Sequence, residues 1–128
     1  KQDQANYASL CADWNISKLH KIVEGGPTRE HSVLNGILAC EKDIGYVAIH
    51  DAARPLITGE IITEAVEAAM RDSAAAPGVA CKDSIQVIQN GKMVKNIARE
   101  SVIAVQTPQC FDLRGADQGA GIRRKPDR

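Results

Sequence analysis

The sequence predicts an α/β domain built on a mostly parallel sheet, and three features predict it. Short apolar runs alternate with amphipathic stretches of helical period, in the order strand, loop, helix, strand, loop, helix, strand. Tyr46-Val47-Ala48-Ile49 is almost wholly apolar, as a strand covered on both faces should be, and runs straight into charged His50-Asp51. The polar clusters follow the strands, where ligands bind in open parallel sheets.

Taken in order, Ala5, Leu10, Cys11 and Trp14 recur at near-helical spacing, which predicts a short helix from Asp3 to about Trp14 with Asp3 as its cap. The run from Leu19 to Glu24, with the β-branched pair Ile22-Val23, reads as a strand stopped by Gly25-Gly26. Thr28 then caps a helix whose apolar positions are Val33, Leu34, Ile37 and Leu38. After the central buried strand 46–49, Ile61, Ile62, Ala65, Val66, Ala69 and Met70 mark an amphipathic helix from Thr58 to Arg71, with Glu60 at the favourable end of its dipole. Gly78 to Cys81 is a short strand. Ser84 to Ile88 and Lys92 to Ile97 flank Asn90-Gly91, a dipeptide that tolerates positive φ, and so form an exposed hairpin. Val102 to Val105 is the final apolar strand. From about Arg114 the glycine-broken, charged stretch 114–128 reads as a disordered tail.

At 128 residues with 44% apolar content the chain is one domain or part of one. Sixteen basic and sixteen acidic side chains cancel, so no global field draws in nucleic acid or an anionic membrane. No apolar run approaches the roughly 20 residues that span a bilayer, and the polar start Lys1-Gln2-Asp3-Gln4 is unlike a signal peptide. Cys11, Cys40, Cys81 and Cys110 include no CxxC pair, so they read as buried free thiols of a reducing cytoplasm.

Four clusters carry the candidate chemistry. In Gly25-Gly26-Pro27-Thr28-Arg29-Glu30-His31-Ser32 the glycines admit a ligand to the backbone, the helix start offers N–H groups, and Arg29 can pair with phosphate; a plain turn with a surface arginine is the other reading. At the mouth of the sheet, Asp51 can hold a ribose hydroxyl or a magnesium ion and Arg54 a second anion, or the two can simply pair with each other. His50 reads as a packed or hydrogen-bonded residue rather than a catalyst. Lys82-Asp83-Ser84 and Gln106-Thr107-Pro108-Gln109 suit a polar substrate and equally suit ordinary turns. Arg99 is either a solvated charge or a phosphate ligand reaching across a subunit boundary.

The ordered set GGPTREHSVLNG, HDAARP, KDSI and QTPQCF resembles the 2-C-methyl-D-erythritol 4-phosphate cytidylyltransferases of the non-mevalonate isoprenoid pathway, over about Leu19 to Phe111. The resemblance implies a Rossmann-like nucleotidyltransferase fold of the nucleotide-diphospho-sugar transferase type, with helices on both faces and a protruding hairpin arm at about 82–100. It implies transfer of a cytidylyl group from CTP to methylerythritol phosphate, with Mg2+ or another divalent cation. Gly25, Gly26 and Ser32 would line the cytosine pocket. Asp51 and Ala52 would lie at the ribose and metal, and Arg54, Ser84, Arg99 and Thr107 at the sugar phosphate, with Asp51 and Arg54 as the catalytic pair. Ser84 stands where the family usually has threonine. The partners implied are CTP, a sugar-alcohol phosphate and a second copy, in a cytoplasmic homodimer whose arms cross.

The family begins with a strand and a glycine-rich loop carrying an arginine and a lysine, and continues beyond Phe111. Residues 1–20 show no GxGxR-like segment, so residues 1–113 are expected to form a partial domain that is incomplete for chemistry by itself. Two alternatives stand: a ribitol 5-phosphate cytidylyltransferase, which tends to carry valine where this chain has Ala53, and a non-catalytic dimerisation or binding remnant.

Overall fold

A computed structural model describes residues 2–114. The chain divides into two compact units, Lys1–Gly45 with the residues from Leu113 onward, and Tyr46–Asp112. The expected tail falls on 115–128 almost entirely, outside the described residues.

In the first unit, α1 spans Gln2–Asp13. Asp3 lies inside it rather than capping it. The helix ends where Asn15 takes φ 51°, a left-handed conformation that asparagine tolerates. Ile16 N–H then donates to the Cys11 carbonyl at 2.9 Å and Asn15 N–H to that of Ala12 at 3.0 Å, so two otherwise orphaned carbonyls are satisfied. Helix α2 spans Arg29–Ala39, as the spacing predicts, and Thr28 caps it by accepting from His31 N–H. Leu19 to Glu24 is not a strand. A β-branched pair becomes a strand only when a neighbour offers ladder hydrogen bonds, and no described segment does so.

In the second unit, β1 (Tyr46–Ile49), β2 (Ala74–Ala75) and β7 (Gln109–Asp112) form one sheet in the order β1-β7-β2. Two further antiparallel pairs follow, β3 (Gly78–Ala80) with β6 (Ile103–Val105), and β4 (Ile85–Gln89) with β5 (Lys92–Ile97). Each of the four described pairings is antiparallel, so the expected parallel ladders are not among them. Nor is β1 covered on both faces among the described residues, since Ala48 is exposed. The 102–105 strand begins at Ile103 and is exposed along its length; β7, not this strand, is the last.

Helix α3 (Gly59–Asp72) carries its apolar face as expected, capped by Thr58, with Glu60 in the first turn and Arg71 in the last, both favourable to the dipole. It packs on β2 and β7. Ala65, Ala69 and Cys110 form the buried cluster there, with Val66 and Ala75 against it. Small residues let the helix approach the sheet closely. All four cysteines are free as expected, but only Cys110 is buried, and burial pushes its thiol pKa up.

The β4–β5 hairpin turns through Asn90 at φ 49° and Gly91 at φ 75°, two consecutive positive angles that match the right-handed twist of the strands. Any side chain at Gly91 meets left-handed strain although nothing crowds it. Gly91→Ala is expected to cost about 1–2 kcal/mol, read as a lower urea midpoint; an unchanged midpoint would contradict the strain.

Candidate functional site

The first cluster lies wholly in the first unit. Ser32 sits one turn into α2, and its hydroxyl accepts from Gly26 N–H at 3.0 Å while donating to the Thr28 carbonyl at 3.0 Å. Asn35 Nδ2 donates to the Glu24 carbonyl at 3.0 Å and ties the loop's other end to the helix. Gly25 and Gly26 are therefore held against the helix start. A Cβ at Gly25 would come 3.2 Å from Ser32 Oγ, and one at Gly26 would stand 2.2 Å from the Cβ of His31. The second distance is below any real carbon contact and involves an atom fixed to the backbone. Gly26→Ala is expected to push the loop off the helix, break the Gly26–Ser32 bond and destabilise the unit by about 1–3 kcal/mol. Amide hydrogen exchange at Gly26 reads this, and an unchanged rate would contradict the close approach.

At the helix start, the Thr28 side chain is the main reason why the Glu30 carboxyl lies below the usual carboxylate range, helped by its own backbone N–H, Arg29 and His31. Because the folded value is the lower one, the contribution is present above the ordinary carboxylate range and fades as the pH falls through the depressed value.

The second and fourth clusters meet in the second unit, and the sheet register explains why. β1 and β7 pair antiparallel with Ile49 opposite Gln109. Two more residues along that register, Asp51 stands opposite Thr107, and Asp51 N–H donates to Thr107 Oγ1 at 3.2 Å. Thr107 is only 4% exposed, the buried polar residue of the unit. Its hydroxyl also bonds His50 Nδ1 at 3.0 Å, and His50 Nε2 bonds the Arg54 carbonyl at 3.0 Å. His50 is hydrogen-bonded, as expected. The turn itself is closed by Arg54 N–H to the Asp51 carbonyl at 2.9 Å.

The two charged side chains leave this turn together. Arg54 Nε lies 3.5 Å from Asp51 Oδ2, with the side chains 44% and 39% exposed, and Arg54 Nη1 donates to Gln106 Oε1. A half-exposed pair of this kind contributes little to stability, typically about 0–1 kcal/mol. Both groups keep solvent access. Beside them opens a cavity of about 630 Å3 lined by Arg54, Leu56, Ile57, Ile61, Val79 and Thr107 among others, mostly apolar. Ala52 is exposed at the tip of the turn.

Ser84 and Arg99 flank the hairpin. Arg99 Nη1 donates to the Lys82 carbonyl at 3.3 Å and its Nε pairs with Glu100 at 3.3 Å, so the two ends of the arm are joined within the chain. Ser84 is exposed. The structure thus brings Asp51, Arg54 and Thr107 together, adds His50 and Gln106 to them, and leaves Ser84 and Arg99 on the arm. Sequence reasoning expected a hydrogen-bonded His50 and placed Gln106 in a polar cluster, but did not find their partners, which lie 57 and 52 positions away in the chain.

Residues 1–119 match the family model of the 2-C-methyl-D-erythritol 4-phosphate cytidylyltransferases. The enzyme of that name from Clostridium botulinum (strain Langeland) is 46% identical over 109 residues, which is 80% of this chain and 47% of the relative. Its namesake from Caldanaerobacter subterraneus is 49% identical over 100 residues, 77% of this chain and 43% of the relative. The chain thus spans about half the length of the curated relatives it matches. Among solved structures, the 4-diphosphocytidyl-2C-methyl-D-erythritol synthase of Anaerococcus prevotii superposes with a TM-score of 0.74 at 26% identity, over 88% of this chain and 51% of that one. The Thermus thermophilus cytidylyltransferase gives 0.63 at 32% identity, over 81% and 53%. The mixed α/β architecture is accordingly that of the nucleotidyltransferases, and the chain belongs to the 2-C-methyl-D-erythritol 4-phosphate cytidylyltransferase family.

Proposed function

We propose that this chain serves the transfer of a cytidylyl group from CTP to 2-C-methyl-D-erythritol 4-phosphate. A phosphate oxygen of the sugar attacks the α-phosphorus of CTP, the α–β anhydride bond breaks, and pyrophosphate leaves. The observation that carries the reading is the Asp51–Arg54 turn, held opposite buried Thr107 at a strand end, in a member of this family.

The roles follow from the chemistry of each group. Arg54 offers a planar fork suited to a phosphate, and Thr107 fixes the backbone from which that fork projects. The Gly25-Gly26 loop, stapled by Ser32, presents backbone to the cytosine edge. Asp51 and Ala52 take the ribose and the metal side. Among the described residues no three His, Cys, Asp or Glu side chains cluster to cage a metal. Mg2+ needs only one or two carboxylates and completes its shell with substrate phosphates and water. Asp51 would hold it, and the ion would supply charge neutralisation at the phosphates. Ser84 and Arg99 belong to the hairpin arm, and in a homodimer they serve the site of the second copy. No helix among the described residues is long and apolar enough to cross a membrane. The four free cysteines suit a reducing cytoplasm.

Amide spectra of the chain recorded during titration test the reading. CTP is expected to shift Gly26 and Ser32 more than ATP does at equal concentration, because a pocket lined by backbone admits a pyrimidine and excludes a larger purine. Methylerythritol phosphate is expected to shift Asp51, Arg54 and Thr107 more than ribitol 5-phosphate does. A preference for ATP would overturn the nucleotide assignment, and a preference for ribitol 5-phosphate would move the chain to the ribitol enzyme despite Ala53.

A further inference from the structure

We propose that His50 is a positioning residue, whose ring, set in one tautomer by the Arg54 carbonyl and anchored on Thr107, fixes the turn that presents Asp51 and Arg54. This rests on the cytidylyl-transfer reading for its functional consequence but not for its geometry.

For a neutral His50 ring, donor and acceptor accounting gives the direction of each bond. The Arg54 carbonyl can only accept, so the 3.0 Å contact requires the proton to sit on His50 Nε2. A neutral imidazole protonated there carries a lone pair at Nδ1, and Thr107 Oγ1, 3.0 Å away, donates to it. The Thr107 oxygen retains lone pairs, and one of them accepts Asp51 N–H at 3.2 Å. The chain of bonds therefore runs one way, from Asp51 N–H through the Thr107 hydroxyl and the His50 ring to the Arg54 carbonyl.

The consequence is mechanical. The backbone of residues 51–54 is closed from inside by Arg54 N–H on the Asp51 carbonyl. Its two outward-facing groups, Asp51 N–H and Arg54 C=O, are tied by side chains, and the anchor between them is 4% exposed. Without the ring the Arg54 carbonyl turns to water, and the guanidinium loses the fixed base from which it reaches a phosphate. His50 touches no reacting atom in this scheme.

Long-range nitrogen–proton correlation spectra of the 128-residue chain test the geometry. The expected result is a proton on His50 Nε2 and an Nδ1 resonance that moves when Thr107→Val removes its donor. An Nδ1-protonated ring, or an Nδ1 signal indifferent to Thr107→Val, would overturn the relay.

Titration with methylerythritol phosphate tests the consequence. His50→Ala is expected to weaken binding about tenfold, equivalent to about 1.4 kcal/mol, and His50→Gln, whose amide still donates to the Arg54 carbonyl, about threefold. Sugar phosphate binding by His50→Ala at wild-type strength would sink the positioning role. Should His50→Ala unfold, the glutamine variant decides the same point. If the wild-type chain binds neither ligand, the cytidylyl-transfer reading falls, while the ring-nitrogen result still judges the relay.

Discussion

Replacing Arg54 by alanine is expected to weaken methylerythritol phosphate binding by roughly 30-fold, equivalent to about 2 kcal/mol. The figure sits at the low end of what removal of a charged ligand partner costs because the side chain is 44% exposed and its field is screened. Lysine should restore only part of the loss. An ammonium is a point charge, whereas the guanidinium uses Nε toward Asp51 and Nη1 toward Gln106 at the same time. Isothermal titration of wild type, Arg54→Ala and Arg54→Lys provides the measurement. Alanine and wild type within twofold of each other would show that the phosphate goes elsewhere. Raising the salt should shrink the difference between them, since a half-exposed charge is involved.

Ala69→Leu should produce the largest loss of stability, about 3 kcal/mol, the upper part of the overpacking range. Ala69 is wholly inaccessible and lies against Ala65 and Cys110 where α3 meets β7. A leucine there needs room for three more carbons, and Cys110 behind it belongs to a paired strand that cannot move without breaking its ladder. For a unit of this size the melting temperature should fall by roughly 15 °C. Met70→Leu, next in sequence but 57% exposed, is the control and should change the melting temperature by little. Equal melting temperatures for Ala69→Leu and wild type would mean that the helix does not seat on the sheet at this residue.

Much of the local structure was legible because its determinants are local. α2 and α3 announce themselves by a threonine cap and an apolar stripe of helical period, and the hairpin by Asn90-Gly91. The sheet was misread because its pairing is not local. Gln109-Cys110-Phe111-Asp112 is four residues with no β-branched side chain, directly after a proline, and it reads as the end of a loop. Once that segment is seen as β7, β1 becomes its antiparallel partner, and no parallel ladder is found among the described residues. Leu19 to Glu24 erred the other way, with strand-like residues and no described neighbour to pair with.

The candidate site divides along the same line. Asp51, Arg54 and Thr107 could be named from residue type and position after strands. That Thr107 lies under the turn, and that His50 joins it to Arg54, required the ladder.

The β1–β7 register also sets how this segment can change by insertion or deletion. The ladder ends at the Ile49–Gln109 pair, so one residue added between Ile49 and Asp51, or between Thr107 and Gln109, would move the hydroxyl off the amide that it serves. A side chain can be exchanged here at a graded loss, but a shift in length is all or nothing. The spacing from Ile49 to Asp51 and from Thr107 to Gln109 is therefore a single shared length constraint, and a change in one strand end requires a matching change in the other.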